Sequence, residues 1–422
     1  MPAYSGKFEY LDESGAAVSS GACQFRFDAE IAIVTPASGT PIAFDLGDVD
    51  RATPGEWDFQ LALFTGRRLA LRQFGAAFAT MSDELLAAWR DRTVRCLLLE
   101  DLQEVARYTG TAAPGGPAAP AQVRLYRSNL AVLPLDGPPV QWRLAEVDAV
   151  SFNEAAYSVT LESGGERLVL AKLAKKTDEF RGNLGGALDA LRTQQAEALH
   201  ATFPFLDPDR LQRALRAMPE GRSAPLAALR TIHPKLPDAL IARAVDAPLR
   251  PYFDALCARS QRDSLMTGFK LIRPDEEQPA EENESQDAPA PAAAPETEGK
   301  EDKVETEEKQ PLFFWFFFPL SGGRVAWEAT TGSGRATYFF DAAPPVDQSI
   351  ARLTRGLALV NFRREPIYLP DESLEREPRF RRYAIGCRKL PDLRSLRAAF
   401  RGRAIHSSLE AWTAQVEAAS RT

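Results

Sequence analysis

The chain has little with which to do chemistry. Of its 422 residues only three are histidine and four are cysteine. Cys23, Cys96, Cys257 and Cys387 are far apart, with no CxxC pair and no histidine at ligand spacing. That spacing fits neither a disulfide framework nor a zinc site, and the four read as reduced, buried thiols. His200, His233 and His406 fall in no HxH or HExxH pattern, and no GxSxG elbow, GxGxxG loop or GxxxxGK[ST] loop occurs. The expectation is therefore a protein that is not an enzyme and that carries no cofactor and no metal. A triad assembled in space would leave no such local trace. Gly182, Gly185 and Gly186 lie inside a helical stretch and read as a small face packed closely against a neighbour.

Long apolar runs are also missing. The longest, Leu312-Phe-Phe-Trp-Phe-Phe-Phe318, is far short of the ~20 residues a spanning helix needs. The opening residues Met1-Pro-Ala-Tyr-Ser-Gly-Lys lack the basic and then apolar regions of a secretory leader. The expectation is a cytoplasmic protein. The Phe-rich run, bracketed by Pro311 and Pro319, reads as a central strand buried on both faces, although a partner-binding patch has the same composition.

What the chain does have is uneven charge. Its net −7 divides sharply, because 14 acidic residues stand against 3 lysines between Asp275 and Gln310, a local −11, which leaves +4 elsewhere. From Ala351 to Arg403, 14 Arg/Lys stand against 6 Asp/Glu, a local +8. The acidic Pro/Ala/Glu stretch holds almost no aromatic residue and is expected to be disordered. In the basic region, Arg363, Arg364, Arg379, Arg381, Arg382, Arg388, Lys389, Arg394 and Arg397 form a candidate partner-binding surface. Phe380 and Tyr383 lie among them, which suits stacking on bases or docking of an acidic partner. A solvated face neutralised by the acidic stretch would look the same.

The first two hundred residues say one thing twice. Phe44-Asp-Leu46-Gly-Asp-Val49-Asp50 recurs as Trp142-Arg-Leu144-Ala-Glu-Val147-Asp148. In the first copy strand-like Gln24–Phe27 and Ile31–Val34 precede it. The period-2 hairpin Trp57–Phe64 and Arg68–Arg72 follows it. Ser82 is expected to cap the next helix, whose buried side is Leu85, Leu86 and Trp89. In the second copy Val123–Tyr126 and Leu130–Leu133 give strands, Asp136-Gly-Pro-Pro139 a turn, and Ala155–Leu161 with Arg167–Leu170 a hairpin. A longer helix opens near Thr177, with Phe180, Leu184, Leu188, Leu191 and Leu199 on one face. The Gly/Pro/Ala cluster Thr111–Pro120 is read as the joint. Asp50 and Asp148, at matching places, are expected to end strands and to bond turn amides.

Several antiparallel strands closed by one amphipathic helix resemble a pleckstrin-homology-like (PH-like) barrel, here in tandem over Tyr4–Gly110 and Ala121–Leu199. The resemblance implies a non-enzymatic binding module. A lipid-binding member would carry a basic cluster between its first strands. Pro36-Ala-Ser-Gly39 and Leu135-Asp-Gly137 carry none, so phosphoinositide binding is not implied.

Beyond residue 199 the pattern changes. Asp207-Pro208 is an N-cap followed by proline at the first helical position, and Pro219 through Pro251 punctuate several short helices. The strand Thr267–Arg273 runs into the acidic stretch and the chain resumes as a strand at Pro311–Leu320. The stretch thus reads as a long insertion in a hairpin, which costs little closure entropy. A second hairpin joins Arg324–Thr330 and Gly334–Phe340 through Thr331-Gly-Ser-Gly334. Ile350, Leu353, Leu357 and Val360 stripe a helix, 362–390 reads as irregular, Leu393, Leu396 and Phe400 suggest a further helix, and Ser407-Ser-Leu-Glu410 opens the last.

The fold expected is α+β. It comprises PH-like antiparallel barrels at 1–110 and 121–199, each closed by a C-terminal helix, a helical insert at 200–265, and a C-terminal α+β unit at 266–422 with a disordered acidic loop at 274–310. The function expected is protein interaction by an intracellular scaffold. The alternative is nucleic-acid binding through the Arg-rich region, with the acidic loop as internal competitor.

Overall fold

The computed structural model describes residues 3–97, 103–135, 137–260, 264–272, 312–330 and 336–421. The acidic stretch 274–310, the turn 331–334 and Asp136 lie outside the described residues. The architecture is mixed α+β with antiparallel sheets and a curled half-barrel. Two units divide the chain, one of Met1–Thr193 with Arg355–Ala398, the other of Gln194–Thr354 with Ala399–Thr422.

The first unit begins with β1 (Ala3–Leu11), β2 (Ala17–Phe27), β3 (Ile31–Pro36), β4 (Ile42–Asp45), β5 (Val49–Pro54), β6 (Asp58–Leu63) and β7 (Arg68–Arg72), followed by helix α1 (Phe78–Cys96). Then come β8 (Glu104–Pro114), β9 (Ala119–Tyr126), β10 (Asn129–Pro134), β11 (Val140–Arg143), β12 (Ala149–Asn153), β13 (Ser158–Ser163), β14 (Glu166–Ala171) and helix α2 (Thr177–Thr202). The two sheets have the same strand order, β4-β3-β2-β1-β7-β6-β5 and β11-β10-β9-β8-β14-β13-β12. A one-turn 3-10 helix, Leu46–Asp48 or Leu144–Glu146, sits at the same place in each. The repeat read in the sequence is thus a repeat of topology. Neither ladder joins its end strands, so each is an open seven-stranded sheet among the described residues.

Alternation makes these strands. In β6, Phe59, Leu61 and Leu63 face inward while Asp58 and Gln60 face out. The helix after each sheet packs into the same core. Met81, Leu85 and Trp89 join the core of the first, and Phe180, Leu184, Leu188 and Leu191 that of the second. Fully burying one such side chain is worth roughly 1.5–3 kcal/mol, so α1 and α2 are held by packing more than by propensity.

Three readings of this region are corrected. Thr111–Pro120 is no joint; it holds the β8–β9 hairpin, with Thr109 opposite Gln122, so the second sheet starts at Glu104. Glycine and proline mark tight turns and linkers alike, and here Gly115 supplies a positive φ of 73°. Ser82 does not cap α1. The helix starts at Phe78 and Ser82 is buried within it. Nor do Gly182, Gly185 and Gly186 face a close neighbour, since a Cβ at any of them would meet nothing within 4 Å.

The second unit holds the short helices α3 (Pro208–Ala217), α4 (Leu226–Ile232), α5 (Leu236–Ala244) and α6 (Arg250–Arg259). The Asp207 side chain accepts from Arg210 N at 2.8 Å, with Pro208 opening α3 as read. Its sheet runs in the order β15-β16-β17-β18-β19-β20. Those strands are β15 (Ser223–Pro225), β16 (Met266–Leu271), β17 (Leu312–Leu320), β18 (Arg324–Ala329), β19 (Ala336–Asp341) and β20 (Phe400–Ile405). Leu271 pairs with Leu312, so the acidic stretch does interrupt a hairpin. β17 is buried on both faces from Leu312 to Phe318, the central strand that its composition suggested. Phe314, Phe316 and Phe318 join Phe253 and Trp412 in one core.

The remaining elements are α7 (Val346–Leu359), α8 (Glu365–Tyr368), α9 (Asp371–Arg376), α10 (Arg381–Lys389), α11 (Pro391–Ala399) and α12 (Leu409–Arg421). The stretch 362–390 is therefore three short helices and not irregular chain, and Phe400 begins a strand where a helix was expected. Pro366 at the start of α8, with Pro370 and Pro378, kept the periods too short to recognise. Residues 355–398 belong with the repeated sheets, separate from the rest of the C-terminal region.

Candidate functional site

Helix α10 lies against the 3-10 turn of the first repeat. Arg381 Nη2 donates to Asp48 Oδ2 at 2.5 Å and Arg388 Nη2 to Asp48 Oδ1 at 2.6 Å. Both arginines also pair with Glu375. Lys389 Nζ donates to the Val49 carbonyl at 2.8 Å, and the same carbonyl accepts the Trp89 indole N–H at 3.1 Å. The Lys389 ammonium stands 4.9 Å from the centre of the Phe64 ring. Burial pulls its pKa down to about 8, against the pull of Asp50 and Asp48 in the other direction. Gly47 lets this helix approach, since a Cβ there would lie 2.7 Å from Ile385 Cδ1.

The other predicted surface residues are placed variously. Arg397 donates to the carbonyls of Pro366 and Leu369 and to Asp371. Arg394 donates to Arg388 O at 3.2 Å. Arg379 pairs with Glu377 and lies over Phe380, and Arg382 lies over Tyr383 and bonds its hydroxyl. Arg363 and Arg364 flank the start of α8 and have partners of their own. Arg379, Arg382 and Arg394 are exposed, whereas Lys389 is buried. The structure brings Arg381, Arg388 and Lys389 together, but around a carboxylate of the same unit.

Reading by residue type missed the corresponding place on the second repeat. Asp48 and Glu146 stand at matching positions of the two 3-10 turns. Beside Glu146 opens a cleft of about 300 Å³, walled by Trp142, Arg143, Glu166, Arg355, Leu390 and Asp392 among others. Its ion pairs are loose. Arg143 Nε is 3.8 Å from Glu146 Oε1, Arg355 Nε 3.5 Å from Asp392, and Arg355 Nη2 3.7 Å from Glu166. Gln141 Oε1, Arg143 Nη1 and Arg355 Nε are buried with no hydrogen-bond partner. The block Phe44–Asp50 repeated as Trp142–Asp148 was the signal that could have located this cleft.

Asp148 bonds a turn amide as expected, accepting from Gly164 N at 2.7 Å. His406, in the second unit, is enclosed with Glu328 and packs flat on Tyr252 at 4.2 Å. Thr337 donates to Glu328 at 2.7 Å and accepts from the Trp412 indole at 2.9 Å. Its remaining lone pair faces His406 Nε2 at 3.1 Å, which places the imidazole proton on that nitrogen. Histidine and carboxylate are each 1% exposed, so this network is closed to a substrate. Burial pushes the Cys96 and Cys387 thiols up to about 11, far from the thiolate a nucleophile needs. No group of three or more metal-binding side chains occurs among the described residues. Nor is any helix there long and apolar enough to cross a membrane. No protein-family model matches the chain, and no curated protein matches it.

Proposed function

We propose that this is a non-enzymatic, cytoplasmic interaction protein built on two PH-like modules. The observation that carries the reading is the doubled strand order 4-3-2-1-7-6-5, each copy followed by a helix that shares a core with its own sheet. A sheet wrapped on one helix leaves its turns and edges as the surfaces on which sequence can vary, which suits binding more than catalysis. The first copy supports this reading, because its 3-10 turn holds a basic helix of the same unit through Asp48. Arg381 and Arg388 of that helix direct donors to internal carboxylates, which favours a protein partner over nucleic acid.

Capture from native lysate, with and without nuclease, tests this. A protein partner retained after nuclease treatment is the expected result. Loss of every bound component with nuclease would replace this reading with nucleic-acid binding.

A further inference from the structure

The two repeats present the same face; among the described residues α10 closes it on the first, whereas on the second α7 and the start of α11 border an open cleft. On the first, the 3-10 turn and the β6–β7 turn receive α10, through Asp48 and the Phe64 ring. On the second, the 3-10 turn with Glu146 and the β13–β14 turn with Ser163 and Glu166 border the cleft. We infer that this cleft binds an arginine- or lysine-bearing peptide segment of a partner protein, in the manner of α10 on the first repeat. The inference rests on the interaction reading above and names its ligand.

Charge supports it. Glu146, Glu166 and Asp392 face Arg143 and Arg355, so the walls carry three carboxylates against two guanidinium groups. At Asp48 and Glu375 two carboxylates share two arginines at hydrogen-bonding distance. In the cleft the Arg143–Glu146, Arg355–Glu166 and Arg355–Asp392 pairs stand 3.5–3.8 Å apart. One more cation would balance the walls. A peptide also offers backbone carbonyls to Arg143 and Arg355 and an N–H to Gln141, the residues whose buried polar atoms lack partners. Trp142, Val140, Leu359 and Leu390 provide apolar wall for the methylene stem of the incoming side chain.

The probe is a synthetic peptide of residues 380–390 of this chain, with serine in place of Cys387 and a fluorophore at its N-terminus. Its anisotropy is followed on titration with the full protein. Saturable binding that weakens with added salt is expected, with affinity at least tenfold lower in E146Q and in the E166Q/D392N double variant. The D189N variant should bind the peptide as the parent does, because Asp189 is exposed on α2 and forms no part of the cleft wall. Three results would overturn the proposal: no binding at low salt, affinity in E146Q no lower than in D189N, or tighter binding of the same peptide with its basic residues changed to glutamate. If the peptide fails while lysate capture still yields a nuclease-resistant partner, the ligand assignment falls and the interaction reading stands.

Discussion

Arg388 reaches back 340 residues along the chain to lay its Nη2 on Asp48 Oδ1 at 2.6 Å. With Arg381 on the other oxygen, one aspartate anchors the C-terminal helices to the first repeat. All three side chains are less than a third exposed, and the geometry is two-pronged. Such a pair is worth more than a surface ion pair. Asp48→Ala leaves both guanidinium groups with Glu375 alone and is expected to cost about 1–3 kcal/mol. Urea unfolding of Asp48→Ala, Arg388→Gln and the double variant checks it. A double variant as destabilised as the sum of the singles would show that the two groups are not coupled.

Two glycines should respond oppositely to alanine. Gly268 lies opposite Trp315 on β17, and a Cβ there would stand 2.3 Å from the indole ring and 2.5 Å from the Arg222 carbonyl. The backbone oxygen cannot yield, so Gly268→Ala is expected to cost more than ~3 kcal/mol, in the range of severe overpacking. Gly182 lies inside α2 with open space around it. Gly182→Ala should therefore stabilise by about 0.5–1 kcal/mol. Thermal melts of the two variants moving in the same direction would contradict this account.

How much was legible follows from which signals are local. The repeat could be read because Leu46/Val49 and Leu144/Val147 sit at fixed places in a period-2 frame, and burial forces that frame. The interrupted hairpin could be read because the alternating strand Thr267–Arg273 and the apolar run Leu312–Phe318 lie on either side of a Pro/Ala/Glu stretch with almost no aromatic residue. The role of the arginines could not. Composition records that Arg381 and Arg388 are charged, but their partner Asp48 is more than 300 residues distant and becomes a neighbour only through the fold. The cleft beside Glu146 was hidden for the same reason, since Arg355 and Asp392 reach it from elements late in the chain. Short proline-broken helices such as α8 and α9 hold too few turns for a 3.6-residue period to register.

The hairpin register makes deletion of the acidic insertion a clean experiment. Leu271 and Leu312 are cross-strand partners, so a short Gly/Ser turn spans their ends. Removal of 278–308 with such a turn should leave the melting temperature within a few degrees of the parent, because closure entropy depends only weakly on loop length. Insoluble protein, or a loss of more than about 10 °C, would mean that the segment contributes to the core around β17.

Lys389 ties stability to pH. Burial lowers its folded pKa from 10.5 to about 8, so the folded state gives up the proton before the unfolded chain does. Between about pH 8 and 10.5 the unfolded state binds more protons, and stability must rise with pH over that window. Below pH 8 both states are protonated and the cost of the buried ammonium is present in full. The shift corresponds to about 3 kcal/mol at 1.36 kcal/mol per pKa unit. Lys389→Met removes the titrating group while keeping an unbranched stem against Phe64, and should flatten this rise. Chemical denaturation of parent and variant at pH 7.5, 9 and 10 checks it. A parent whose stability falls from pH 8 to 10 while the variant's falls equally would show that Lys389 stays charged in its burial site, stabilised by Asp48 and Asp50 and the Val49 carbonyl.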